Sequence, residues 1–229
     1  MMTSDYIQIA LYLVLLISLT PVLGSYMYKV FAGKNHLMRP FLGELEKLVY
    51  KLSGVHPETE SNWKTYALGL LLFNFVGFIF LFVLQLIQMQ LPLNPAHLPN
   101  VTWHSALNTA ISFMTNTNWQ GYAGETTLSY LVQMLGLTVQ NFVSTATGIA
   151  VLLALVRGLS RKSATTLGNF WTDLTRSTLY VLLPLSILLA IVLVGEGVIQ
   201  NFHSYQTAHT LQGTEQVIPM GPAASQVAI

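Results

Sequence analysis

The sequence predicts an all-α membrane protein: four transmembrane helices, plus one short helix and loop that enters the membrane and turns back. Three observations carry this. Of the 229 residues, 52% are apolar and only 8% are charged, against about 25% charged in ordinary soluble domains. The charges are also confined, because all ten Lys and Arg residues fall within 29–64 and 157–176. Finally, the longest stretch free of Asp, Glu, Lys and Arg runs from Thr65 to Gly124. In it, a short apolar segment, Ala106 to Met114, precedes the oxygen-rich string Thr115-Asn116-Thr117-Asn118-Trp119-Gln120-Gly121.

The first predicted span is Tyr6 to Tyr28. It is uncharged and exceeds the roughly 20 residues that cross a hydrocarbon core of about 30 Å. The N-terminus lacks a basic region and the apolar run is too long for a signal-peptide core, so the segment is read as a mature helix. Pro21 inside it predicts a kink. Lys29 to Lys64 is a polar connection in which Phe41, Leu42, Leu45, Leu48, Val49 and Leu52 recur at helical spacing. That pattern predicts an amphipathic helix, either packed on other helices or lying on the membrane surface, and ended by Gly54 and Pro57.

Thr65 to Met89 is the second span. Its internal Asn74 and Gln85 need polar partners and are expected to face protein rather than lipid. Pro92, Pro95 and Pro99 then break the chain, and Asn100-Val101-Thr102 matches a glycosylation pattern too short to weigh heavily. Trp103 to Tyr122 is the segment that enters and returns. Thr126 to Val156 is the third span, carrying Ser129, Gln133, Thr138, Gln140, Asn141, Ser144, Thr145 and Thr147. So many polar side chains require one face to pack on protein or line a cavity. Arg157 to Arg176 is a second polar connection, and Ser177 to Val194, with Pro184 inside it, is the fourth span. The remainder, from Glu196, is polar and turn-rich, with helical character returning at Ala223 to Ile229.

Charge placement orients the chain. Basic residues concentrate in cytoplasmic loops, so both basic connections are expected inside and both ends outside. Two loops on one side are separated by an even number of crossings. The spans 65–89 and 126–156 already supply two, so 103–122 cannot also cross.

Irregular backbone at membrane depth persists only when buried in protein or lining water. The string from Thr115 offers main-chain carbonyls, two threonine hydroxyls and the amide oxygens of Asn116, Asn118 and Gln120. These are neutral oxygen donors, suited to a dehydrating monovalent cation rather than a divalent one. Glu125, the nearest acid, sits at the expected outer mouth, where it either gathers cations or marks the water boundary. Trp119 and Tyr122 are either braces for the loop or interfacial aromatics. The six histidines are scattered, with no metal-ligand pair at helical spacing. With no cysteine, disulfides and thiolate metal sites are excluded. No G-x-x-x-x-G-K-[ST] phosphate loop or Asp-Lys-Thr-Gly motif is present, so no catalysis by the chain alone is expected. No nucleic-acid partner is expected either.

The order span, pore helix, filter-like turn, span is the build of a potassium-channel subunit. Asn94-Pro95, Ala106 to Ala110, Thr115 to Gln120, Gly124 to Tyr130, Gly136 to Phe142 and Pro219-Met220-Gly221-Pro222 together resemble the potassium-binding A subunit of the Kdp potassium-transporting ATPase. The resemblance runs along essentially the whole chain. It implies a four-repeat, potassium-channel-like subunit of the bacterial inner membrane. Such a subunit takes up K+ from outside in complex with a catalytic P-type ATPase B subunit, a C subunit and a small F subunit. It also implies that Thr115, Asn116, Thr117 and Asn118 form the first K+ filter segment and that Gln120, with Gly121 beside it, influences selectivity. Family members are more than twice as long, so the chain reads as an N-terminal fragment. Residues 1–64 would then be the first helix and its connection, 65–156 a complete repeat, and 157–229 a loop and the start of a second repeat cut before its filter. The alternative reading is a homo-oligomeric potassium channel or passive cation transporter, in which several copies complete the ring.

Overall fold

The computed structural model describes residues 3–161 and 165–229, with the side chains of 3 and 4 left out; Lys162, in the second basic connection, lies outside the described residues. The chain divides into two compact units, one ending at Ser53 and the other beginning at Gly54. Four helices are long and apolar enough to cross a membrane: Asp5–Phe31, Trp63–Leu86, Val132–Ser160 and Phe170–Gly195. One overlaps each of the four expected spans, and the chain is a mostly helical membrane protein.

In the first unit, α1 (Thr3–Phe31) runs through Pro21. Most of its apolar side chains between Tyr6 and Leu23 are exposed, as a lipid-facing helix requires. α2 (Arg39–Ser53) is the expected amphipathic helix. Tyr50 is buried and its hydroxyl donates to Glu46 Oε1 at 2.8 Å, while Lys47 pairs with Glu44 one turn away. Gly54 follows with φ +66, a left-handed position where glycine ends a helix without a Cβ penalty.

The second unit is organised around α3 (Trp63–Leu86). The Asn62 side chain caps its start, accepting from the Thr65 N–H at 3.0 Å. One end of α3 packs with α4 (Trp103–Met114) and the segment after Leu128. The core there is Leu81, Leu84, Ala106, Ala110, Phe113, Leu128, Val132 and Leu137. The other end packs Tyr66 against Ala146, Ala150, Phe170 and Leu174. Those residues come from α6 (Val139–Ser160) and α7 (Phe170–Arg176).

Between α4 and α6 lie a four-residue helix, α5 (Gly124–Thr127), and a π-helical segment, Val132–Thr138. The third long helix therefore begins at Val132, not at Thr126. Leu128 and Ser129 are non-helical, and their main chain bonds to side chains: the Ser129 N–H donates to Gln88 Oε1 at 3.0 Å, and Leu128 O accepts from the Gln133 amide at 2.8 Å.

The fourth long helix differs more from expectation. It starts at Phe170 rather than Ser177, as α7, then a π-helical segment, Ser177–Leu182, then α8 (Leu183–Gly195). Asn169 caps it, accepting from the N–H groups of Trp171 and Thr172. The polar residues of α7 had suggested a loop. They are helical because the one acid among them is neutralised inside the fold. Asp173, 2% exposed, takes two hydrogen bonds from the Arg157 guanidinium at 2.5 and 2.8 Å and one from the Tyr66 hydroxyl at 3.0 Å. Pro184 lies inside this continuous helix, just after the π-helical segment gives way to α8.

The segment before α3 and the segment before α7 are joined. The Ser61 N–H donates to Gly168 O at 2.7 Å, the Leu167 N–H to Ser61 O at 2.9 Å, and Arg161 grips Glu60 with both terminal nitrogens at 2.8 and 3.0 Å. Gly168 has φ +104, and a Cβ there would lie 2.3 Å from Arg157 Nη1. These parts of the two basic connections therefore lie on one side of the unit.

After α8, where the residues are polar and turn-rich, a hairpin forms. β1 (Gln206–His209) pairs antiparallel with β2 (Glu215–Ile218), Gln206 opposite Ile218 and His209 opposite Glu215. The strands are four residues long and almost wholly exposed, so no apolar alternation marks them. α9 (Ala223–Val227) closes the described chain as the helical turn expected there.

Candidate functional site

The twelve residues of α4 bury Ala106, Thr109, Ala110, Ser112 and Phe113 on one face. α4 then ends in a tight turn centred on Ser112. The Ser112 carbonyl accepts from the Thr117 N–H at 2.9 Å and the Thr117 hydroxyl at 3.0 Å, and its hydroxyl accepts from the Trp119 N–H at 2.8 Å. Asn116 and Asn118 both adopt left-handed backbone, φ 60 and 57, which asparagine tolerates better than most residues. Thr117 between them does not.

The long polar face of α6 holds this turn. Asn118 Nδ2 donates to Asn141 Oδ1 at 2.7 Å and to Asn116 Oδ1 at 3.1 Å. The Asn116 oxygen also accepts from Ser144 Oγ at 3.2 Å and Thr145 Oγ1 at 3.3 Å. The asparagine amides and threonine hydroxyls are thus largely engaged in fixing the turn. The carbonyls are not: among the described residues, the main-chain oxygens of Thr115, Asn116, Thr117 and Asn118 accept no backbone N–H. Unpaired main-chain oxygens in a constrained turn form a set of neutral hard donors.

Beyond the turn, Tyr122 is the brace. Its hydroxyl lies 3.0 Å from Thr109 Oγ1 and donates to Gln85 Oε1 at 3.0 Å, while the Gln85 amide donates to Leu81 O and Ala106 O. Gln85 is fully buried and faces protein, as its position in an apolar helix required. Asn74 donates to Leu70 O of its own helix. Trp119 is 55% exposed, and its contribution to the turn is its main-chain N–H. Gln120 lies with Nε2 2.8 Å from where a Cβ on Gly124 would stand, and its Oε1 is buried without a hydrogen-bond partner. A Cβ on Gly121 would meet open space. The Glu125 side chain is exposed, and its carbonyl accepts from the Tyr205 hydroxyl.

The structure therefore brings Thr115 to Asn118 together with Ser112, Asn141, Ser144 and Thr145, and sets Gln120 and Glu125 on a separate cavity wall with Gln133. Ser112 was not singled out by the sequence. The other three were visible there as polar residues at positions i, i+3 and i+4 of one helix, a spacing that puts them on one face.

The profile of the family described as potassium-transporting ATPase A subunit matches residues 10–229. The chain belongs to that family. It is 57% identical over its full length to a protein of Pseudomonas entomophila named potassium-transporting ATPase potassium-binding subunit. Proteins of the same name from Pseudomonas aeruginosa and Rhodospirillum centenum are 55% and 57% identical. The chain spans 41% of the length of the first two relatives and 40% of the third. Among the described residues no three His, Asp or Glu side chains converge as a metal site, and the oxygen donors of the 115–118 turn are neutral.

Proposed function

We propose that this chain carries the first ion-selecting unit of the potassium-binding subunit of an ATP-driven K+ uptake complex. In this reading α4 is a pore helix that enters the membrane, and Thr115 to Asn118 present their carbonyls to a partly dehydrated K+. The observation that carries it is the turn itself: four consecutive carbonyls free of main-chain partners, in backbone pinned by Ser112 behind and by Asn141, Ser144 and Thr145 of α6. A set of carbonyls that replaces an ion's water is how potassium filters select. K+ is the transported substrate here.

Re-entry is supported by where the chain returns. Tyr122 and Thr127 bond to Gln85 and Gln88, the level from which α4 set out through the Val101 N–H to Gln85 O contact. Hydrolysis of ATP belongs to a partner B subunit, with C and F subunits completing the complex, in the bacterial inner membrane. The N-terminus and the 90–125 loop face outward and the joined basic segments face the cytoplasm, following the positive-inside pattern. Further repeats of the full-length subunit supply the rest of the ring.

The test is Gln120→Arg in the full-length subunit within its complex. At an effective dielectric of about 20, a fixed charge ~8 Å from the ion costs about 2 kcal/mol, roughly a 30-fold rise in half-saturating K+. Half-saturation of K+-stimulated ATPase activity that stays at the wild-type value would reject the placement of the filter.

A further inference from the structure

A cavity of about 310 Å3 begins two residues after the turn, lined by Gln120, Glu125 and Gln133 on one wall and by Met220, Gly221 and Gln226 on the other. Its two walls are built, not incidental. Gly221, at φ +129, passes so close over the Tyr130 ring that a Cβ would stand 3.0 Å from Cε1. The Tyr130 hydroxyl donates to His203 O at 2.8 Å, and the Tyr130 N–H donates to Leu93 O at 3.1 Å. The segment carrying Gln226 is thereby anchored against the segment carrying Gln133. Gly124 performs the same service for Gln120, whose amide lies where any larger residue would put its Cβ.

The chemistry of the lining is specific. There is one carboxylate, Glu125, and no Lys or Arg side chain. Gln133 is 8% exposed and its Nε2 is committed to Leu128 O at 2.8 Å, which leaves its oxygen for the cavity. The Gln120 Oε1 is sealed off from the cavity and has no donor, so this side chain shapes the wall and is not a ligand. The volume exceeds what one ion and a partial shell of water need. A single carboxylate among amide oxygens holds a monovalent cation loosely, whereas a divalent ion calls for more charge.

We propose that this cavity is a staging site for the monovalent cation: the Glu125 carboxylate draws the ion in, and the side-chain oxygens of Gln133 and Gln226 replace part of its water before it passes to the turn at 115–118. The inference rests on the reading of that turn as the selecting element. It assigns a role to Gln133 and to Gln226, which the turn does not use, and it separates capture from selection.

The experiment uses the full-length subunit in its native complex and follows K+ uptake together with the K+ over Na+ ratio. Glu125→Gln is isosteric at an exposed position and Gln226→Leu keeps length, so folding loss at one leaves the other informative. Each is expected to raise half-saturating K+ about fivefold, the equivalent of one lost polar contact, with the ratio unchanged. The Glu125→Gln effect shrinks as choline chloride is added, because exposed charge is screened. Asn118→Ala serves as the control on the turn and is expected to lower the ratio. If Asn118→Ala lowers the ratio while both cavity variants keep wild-type half-saturation, the staging site is overturned and the selecting turn stands. If Asn118→Ala leaves the ratio intact, the reading of the turn fails and the staging site with it.

Discussion

Replacing Asp173 with Ala tests the polar staple that joins α3, α6 and α7. Asp173 is 2% exposed and the Arg157 side chain 17% exposed, so neither charge is hydrated freely. The substitution removes both Arg157–Asp173 hydrogen bonds and one from Tyr66. Arg157 keeps one bond, to Leu167 O at 3.0 Å, and Tyr66 keeps one, to Ala150 O at 2.7 Å. A charged hydrogen bond contributes about 1.5–3 kcal/mol, and a buried charge stripped of its partner costs about 3–5 kcal/mol. The second figure applies, because Arg157 stays behind. The loss is therefore expected at about 3–5 kcal/mol, read as a shift in the unfolding midpoint of the purified full-length protein in mixed detergent. Replacing the pair together, Arg157→Met with Asp173→Leu, removes the stranded charge and is expected to restore stability to within about 1 kcal/mol of the parent, since apolar substitutes for a buried pair are often neutral. A single variant that loses under about 1 kcal/mol, or a double variant worse than the single, refutes the argument.

Two further outcomes follow from other contacts. Asn141→Leu deletes the acceptor 2.7 Å from Asn118 Nδ2; loss of one such bond, about 1 kcal/mol, is expected to lower the K+ over Na+ uptake ratio several-fold at normal protein abundance, and an unchanged ratio removes α6 as a support of the turn. Glu60 is held down to about 2 from its ordinary 4.5 by the Arg161 guanidinium and the Thr166 hydroxyl. Because the folded form keeps the lower value, its contribution is full above pH 4.5 and is lost as pH falls toward 2. Hydrogen-exchange protection of the Ser61 and Leu167 amides, relative to the intrinsic rate at each pH, should fall over that window, and Glu60→Gln should flatten the step; an equal step in the variant assigns it to another group.

Span number and the position of the turn were legible because both are written in composition. Runs without charge mark hydrocarbon, and a short apolar segment before a neutral polar string marks a short helix that ends in a turn. The clustering of basic residues foretold that the segments around Glu60 and Arg161 share a side, and there they bond directly. What composition hid was anything that depends on a distant partner. Asp173 and Arg176 read as loop because a charge normally seeks water; Arg157, sixteen residues earlier, and Tyr66 make Asp173 tolerable inside the fold. Ser112 carries no signal of its own within the short helix α4. Its role as the hub of the turn depends on Thr117 and Trp119 folding back onto it, which no periodicity reports. The hairpin at 206–218 has no buried face and so no pattern to read.

α6 ties these elements together. Its residue Arg157 is fixed to Asp173 and Leu167, and four turns earlier its residues Asn141, Ser144 and Thr145 hold the amides of Asn116 and Asn118. A helix transmits register rigidly between such points, because each residue adds a fixed rotation and a rise of about 1.5 Å. The π-helical segment Val132–Thr138 lies on the other side of the turn contacts, so a change of register there need not move Asn141 relative to Arg157. The staple therefore sets the height and rotation at which α6 meets the turn. On that reasoning the Asp173→Ala variant should lose ion selectivity as well as stability, whereas the restored Arg157→Met, Asp173→Leu pair should recover stability while its selectivity reports whether apolar packing alone reproduces the original register.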